Sequence, residues 1–187
     1  MSTPRTWIGD DVSELASERI LDAAEGLYAE GGLEGVGMDT VAKAAGCSRA
    51  TLYRYFENRD ALHLAFAHRE ARRIVESVAN RIEHIDDPLQ RGLEAVVGAI
   101  EEVRAKPSLL AWVGPGDSAM VSEVIRQSPL LETFTARFVG ERDDVPDLDL
   151  ARWVLRAIVS FLAVPGSDAD EERRLIERFL APVLTVR

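Results

Sequence analysis

The 187-residue chain has a single cysteine, Cys47, so it can form no internal disulfide, and nothing in it calls for an oxidising compartment. Aromatic residues are scarce at 6%, which leaves aliphatic side chains to fill most of any core. Lysine is almost missing: Lys43 and Lys106 stand against 20 arginines. No apolar run approaches the roughly 18 residues that span a bilayer. The N-terminal stretch carries Asp10, Asp11, Glu14 and Glu18 where a signal peptide would have its hydrophobic core. No membrane partner is expected, and the chain reads as cytoplasmic. Positive charge is also in deficit, with 22 Lys and Arg against 32 Asp and Glu, a net of −10. That excludes a polybasic nucleic-acid coat. It leaves sequence-specific DNA binding open, because that needs only a local basic face.

What is present is 47% apolar residues, enough for a real core. They recur at spacings of three and four, and no Asn-Gly hairpin signal occurs, so the fold is expected to be all-α. Residues 1–12 read as a flexible polar arm. Helices are expected at about 12–30, 38–45, 49–56, 59–85, 88–105, 108–113, 118–140, 147–164 and 168–184, about nine in all. Gly31-Gly32, Gly46, Asp86-Asp87-Pro88, Lys106-Pro107, Gly114-Pro115-Gly116 and Pro165-Gly166 break them. The acidic clusters at 141–149 and 168–172 read as solvated linkers.

Residues 38–56, MDTVAKAAGCSRATLYRYF, carry the chemistry. Ala42, Gly46 and Leu52 have the spacing of a helix-turn-helix. A small residue at 42 lets the second helix cross close by, and Gly46 can take the positive φ of a tight interhelical turn. Ser48 is placed to cap the second helix and Asn58 the next one. At about 100° per residue, Leu52 and Phe56 share one side of the second helix. Ala50 and Arg54 lie opposite, flanked by Thr51 and Tyr53. Small and polar side chains on an outward face suit a helix in the major groove. From Ala42 to Phe56 there are three cations, Lys43, Arg49 and Arg54, and no acid, while residues 1–68 as a whole carry six basic and eleven acidic side chains. Arg59 adds a cation at the start of the long helix, where backbone N–H groups also favour phosphate.

The string AAGCSRATLYRYFENRDAL, preceded by YAEGGLEGVGMDTVA, resembles the DNA-binding domain of the TetR family of bacterial transcriptional regulators over residues 15–66. The resemblance implies a three-helix DNA-binding domain at 13–60. It implies a larger helical domain at 61–187 that dimerises and holds a small-molecule effector. Carried over by position, Arg49, Ala50 and Tyr53 match places that meet bases of double-stranded operator DNA. Thr51, Arg54, Tyr55 and Arg59 match places that mostly meet phosphate, with Lys43 as a further phosphate contact. Gly37 departs from the pattern, standing where the family usually has a capping Thr or Ser.

The remaining features read blandly. His63, His68 and His84 are expected to be partly exposed structural residues, since a spacing of five is poor for shared metal ligation. Cys47 reads as turn packing. Gly114 to Ser118 lacks the Gly-Lys-Ser/Thr of a phosphate loop. No cofactor motif, metal set or catalytic constellation occurs, so an enzyme is not expected. Trp112, Met120, Phe134 and Phe138 are the candidates for an effector pocket, and the ligand is expected to be apolar or amphipathic. Trp153, Val154, Ala157, Ile158, Phe161 and Leu162, with Leu175, Ile176, Phe179, Leu180 and Val183, are expected to form a four-helix homodimer interface. The leading expectation is a repressor released from DNA by its ligand. The alternative is a helical ligand- or protein-binding module without DNA binding.

Overall fold

The computed structural model describes residues 7–33, 35–112, 129–139, 141–142 and 145–185. The elements are α1 (Trp7–Gly31), α2 (Met38–Ala44), α3 (Arg49–Tyr55), α4 (Arg59–Ile82), α5 (Pro88–Arg104), α6 (Pro107–Leu110), α7 (Pro129–Val139), α8 (Leu148–Ala163) and α9 (Ala169–Thr185). Two-residue strands β1 (Glu141–Arg142) and β2 (Val145–Pro146) pair antiparallel between α7 and α8. That stretch was expected to be a solvated linker; the two short strands pair within it, and the fold remains all-α. The first helix begins at Trp7 rather than Val12, inside the expected arm. Residues 113–128, which hold Met120 and most of the first half of the helix expected at 118–140, lie outside the described residues.

Local chemistry sets the helix starts. Ser48 Oγ accepts from the Thr51 amide at 3.0 Å, and Asn58 Oδ1 accepts from the Ala61 amide at 2.8 Å. Asp87 caps α5 and Asp147 caps α8 in the same way. Each satisfies an amide that the first helical turn leaves without a carbonyl partner.

One core joins α1 to α4. Ile20, Leu21, Ala24 and Tyr28 of α1 pack on Val41 and Ala42 of α2, Leu52 of α3, and Leu62 and Phe66 of α4. A second core joins Leu93, Val96, Val97 and Ile100 of α5 to Ala136 of α7, Ala151, Val154 and Leu162 of α8, and Ile176 and Leu180 of α9. Gly92 permits the α5–α9 approach, since a Cβ there would stand 2.9 Å from Leu184 Cδ1. Helix α4, 24 residues and about 36 Å long, belongs to both halves. Leu62 and Phe66 lie in the first core, whereas Val78 and Ile82 pack against Ala95 of α5.

A buried ionic cluster ties α1 to α4. Arg69, 3% exposed at its side chain, meets Asp22 and Glu25 of α1 at 2.7 Å each, and Glu18 at 3.4 Å. Its neighbour Glu70 is fully buried and accepts from Arg69, Arg73 and Lys106. Burial alone would raise the Glu70 pKa, but the hydrogen bond and charge of Lys106, with Arg73 and Arg69, hold it below the usual carboxylate value. A second buried carboxylate corrects the reading of 168–172 as a solvated linker. Glu172 is 6% exposed and receives both Arg104 guanidinium nitrogens, at 2.6 and 2.7 Å.

Candidate nucleic-acid interface

The turn between α2 and α3 has the geometry its sequence requires. Gly46 has φ +66°, a conformation that side-chain-bearing residues rarely adopt. Leu52 is fully buried and Phe56 nearly so, which fixes the rotation of α3 about its axis. Ala50, Tyr53 and Arg54 therefore face outward with Arg49 and Lys43, all exposed. Thr51, Tyr55 and Arg59 are half-buried. Tyr55 leans on the first core, and Arg54 stands over its ring at 5.1 Å and donates to its hydroxyl. At the start of α2, Gly37 has an extended backbone and supplies no side-chain cap.

One partner was not visible in the sequence. Asp39, in the first turn of α2, accepts from Arg49 Nη1 at 3.0 Å, with both side chains well exposed. The acid-free window of residues 42–56 stops short of it, and only the tight turn brings it alongside α3. The Arg49 guanidinium also stands over the Tyr53 ring at 5.5 Å, so Asp39, Arg49 and Tyr53 form one exposed set.

Behind this surface sits an aromatic box. His63, expected to be partly exposed, is wholly buried against Tyr28 and Trp112, which both also pack on Phe66. Among the described residues neither of its ring nitrogens has a partner, nor do the Tyr28 hydroxyl and the Trp112 indole nitrogen. Burial, and then the Arg59 charge, lower the His63 pKa to about 4, against a smaller raising effect of Asp60. Burial likewise pushes the Tyr28 phenol up.

Trp112 was expected at an effector pocket, and the structure places it elsewhere. It stacks on Phe66 with ring centroids 5.7 Å apart, because α6 returns the chain to α1. The C-terminal half does enclose a cavity of about 140 Å³, with Phe134 and Phe138 on its wall. The rest of its described lining comes from α4 (Ala71, Ile74, Val75, Val78), α5 (Ala95, Val96, Ala99, Val103), α7 (Leu131, Thr135) and α8 (Val154, Leu155, Ile158). Of the expected pocket set, Phe134 and Phe138 line this cavity, Trp112 does not, and Met120 lies outside the described residues.

The dimerisation set also divides. Val154, Leu162, Ile176 and Leu180 are buried in the second core of their own chain, so they cannot form an outer surface. Ala157, Ile158 and Phe161 are half-buried. Trp153 (45% exposed), Phe179 (58%), Leu175 and Val183 remain on the surface. Periodicity along α8 and α9 marked both faces as apolar, and could not say which one the chain keeps for itself.

A family model described as bacterial regulatory proteins, tetR family, matches residues 20–66. An uncharacterised HTH-type transcriptional regulator of Mycobacterium tuberculosis is 38% identical over 96% of this chain and 90% of its own length. The chain belongs to the TetR family. It is a helix-turn-helix transcriptional regulator, and not an enzyme. The HTH-type transcriptional repressor KstR of Mycobacterium tuberculosis is 28% identical over 90% of this chain and 80% of its own length. Two solved TetR-family structures share the fold. The repressor AlkX of Dietzia, implicated in biodegradation of n-alkanes, has a TM-score of 0.65 at 22% identity and covers 90% of this chain and 94% of its own. FadR of Thermus thermophilus, solved with lauroyl-CoA, has a TM-score of 0.64 at 22% identity, covering 91% of this chain and 96% of its own. TetR regulators bind operator DNA and effector ligands, typically as dimers. Among the described residues no helix is long and apolar enough to cross a membrane.

Proposed function

We propose that this TetR regulator is a homodimeric repressor that an apolar or amphipathic small molecule releases from its operator. The observation that carries the reading is the outward face of α3, held clear of the core by Leu52 and Phe56. Arg49, Ala50 and Tyr53 reach base edges in the major groove. Lys43, Thr51, Arg54, Tyr55 and Arg59 meet the flanking phosphates. KstR and AlkX are named repressors, which supports the sign of regulation.

A single short α3 makes too few contacts for specificity, so two copies must read two half-sites about one helical turn apart. The exposed apolar stripes of α8 and α9 supply the surface for pairing. Trp153 and Ala157 lie on one, and Leu175, Phe179 and Val183, four residues apart each time, on the other. Exposed apolar rows of this size are costly to leave in water.

The apolar cavity between α4, α5, α7 and α8 is the effector site. A ligand there acts only through its different affinity for DNA-competent and DNA-incompetent forms. Helix α4 connects the two regions, since Arg59 at its start adjoins the DNA face and Ala71 to Val78 line the cavity. Mobility shift against DNA flanking the gene, with a salt titration, tests the reading. The expected result is a specific, salt-sensitive complex that the apolar fraction of a cell extract dissociates. Absence of any specific complex at low salt leaves the alternative, a helical binding module without DNA binding.

A further inference from the structure

We infer that the effector is an amphipath with an anionic head, its hydrocarbon tail in the α4–α5–α7–α8 cavity and its head in an adjoining cleft beside Arg137 and Arg91. This rests on the proposal that the cavity is the effector site, and it adds the chemical class of the ligand.

The described wall of the cavity offers nothing to a polar group. Among the described residues Thr135 is its single polar side chain, and its hydroxyl already donates to the Leu131 carbonyl at 2.9 Å. A head group buried there would give up its water without replacement, at a cost of several kcal/mol. These described walls therefore favour a polar end that lies outside them.

Phe138 shows where. This residue borders the cavity and also a solvent-open cleft formed with Ala79, Asn80, Ile82, Glu83, Arg91 and Arg137. Helix α4 passes from one to the other within a turn, Val78 facing the cavity and Ala79 and Ile82 the cleft. A chain leaving the apolar space past Phe138 enters this cleft.

The cleft is chemically suited to an anion. Arg81, Arg104, Arg152 and Arg173, elsewhere in the C-terminal half, each meet a carboxylate. Arg91 and Arg137 are exposed, and among the described residues neither does. Arg91 is already oriented, because its Nε and Nη2 donate to the carbonyls of Ile85 and Asp86 at 2.8 and 3.1 Å. Those bonds are to backbone carbonyls, and its guanidinium meets no carboxylate among the described residues. Among the described lining residues Glu83 is the one carboxylate, so these side chains, two arginines and one glutamate, carry a net of +1. Guanidinium groups at a partly desolvated edge bind carboxylate and phosphate through charge-assisted hydrogen bonds.

The test measures binding of four twelve-carbon probes to the full chain, by displacement of the neutral fluorophore N-phenyl-1-naphthylamine. The probes are dodecanoate, monododecyl phosphate, 1-dodecanol and dodecyltrimethylammonium. At least one anion is expected to bind roughly tenfold more tightly than the alcohol, and the cation no better than the alcohol. Arg137 is exposed and bonded to nothing described, so Arg137→Gln is expected to fold, to lose most of the anion preference and to bind dodecanol as before. Arg137→Lys is expected to retain the preference. Anions that bind no better than dodecanol, or a preference unchanged in Arg137→Gln, overturn the head-group assignment while the cavity reading stands. Failure of all four probes to bind overturns both.

Discussion

Arg49 has two prospective acceptors, the Asp39 carboxylate at 3.0 Å and an operator base. An exposed ion pair of this kind is weak, so DNA can displace it, but Asp39 also repels phosphate. Asp39→Asn is therefore expected to tighten operator binding, by up to about fivefold, and mobility shift at fixed salt checks the sign. Tyr53→Ala is expected to weaken binding by about 1–3 kcal/mol per half-site, and Arg49→Ala to act in the same direction. Full operator affinity in both folded variants would remove α3 as the reading face. His63 gives a second prediction at this scale. An unfolded histidine takes up its proton near pH 6.5, whereas the buried one does so near 4. Between those values the unfolded chain binds more protons, so stability is unaffected above pH 6.5 and falls as the pH drops toward 4. The full loss is about 3 kcal/mol. His63→Leu, similar in volume and without polar nitrogens, is expected to reduce the slope of urea-derived stability against pH across that window. An unchanged slope would mean that the imidazole is not the group responsible.

At the scale of elements, α2 has a helix start without a side-chain cap. Gly37 has φ −90° and ψ 159°, angles that serine adopts freely, and a Cβ there would meet nothing within 4 Å. Gly37→Ser is expected to stabilise the domain by a few tenths to about 1 kcal/mol. It should also raise operator affinity, by adding a hydroxyl where the family contacts phosphate. A lower melting temperature would contradict the capping argument. The α1–α4 clamp is a different kind of element-level feature. Glu70 is fully buried, and Lys106, from the α5–α6 joint, is one of its three cationic partners. Lys106→Met leaves that charge undercompensated and is expected to cost about 1–3 kcal/mol in urea unfolding. The caps were legible in the sequence, because Ser48 and Asn58 act within three residues of themselves. The clamp was not. Glu18, Asp22 and Glu25 lie more than forty positions from Arg69, and each alone reads as an ordinary surface charge.

For the whole molecule, a net charge of −10 makes DNA binding depend on the few cations around α3. With Lys43, Arg54 and Arg59 from each of two copies on phosphate, the logarithm of affinity should fall against that of salt with a slope of about −5. A slope near zero would argue against the phosphate contacts. The dimer is expected to sediment at about twice the 20.6 kDa chain mass at micromolar protein. Trp153→Glu with Phe179→Glu is expected to shift it toward monomer. A monomer in the unmutated chain would refute the pairing through α8 and α9.

The linear order of residues was sufficient for whatever depends on near neighbours. It determined the all-α architecture, the glycine turn at 46, the caps at 48 and 58, and the side of α3 that faces outward, since helical periodicity and capping act over three or four positions. Tertiary packing decided the rest. It sent Trp112 to the aromatic box instead of the cavity, turned Val154 and Ile176 inward while leaving Trp153 and Phe179 outside, and set Asp39 against Arg49. The reason is that an apolar or charged residue records only what it can pair with. Which partner it obtains depends on how distant helices cross, and no single stretch of sequence contains that.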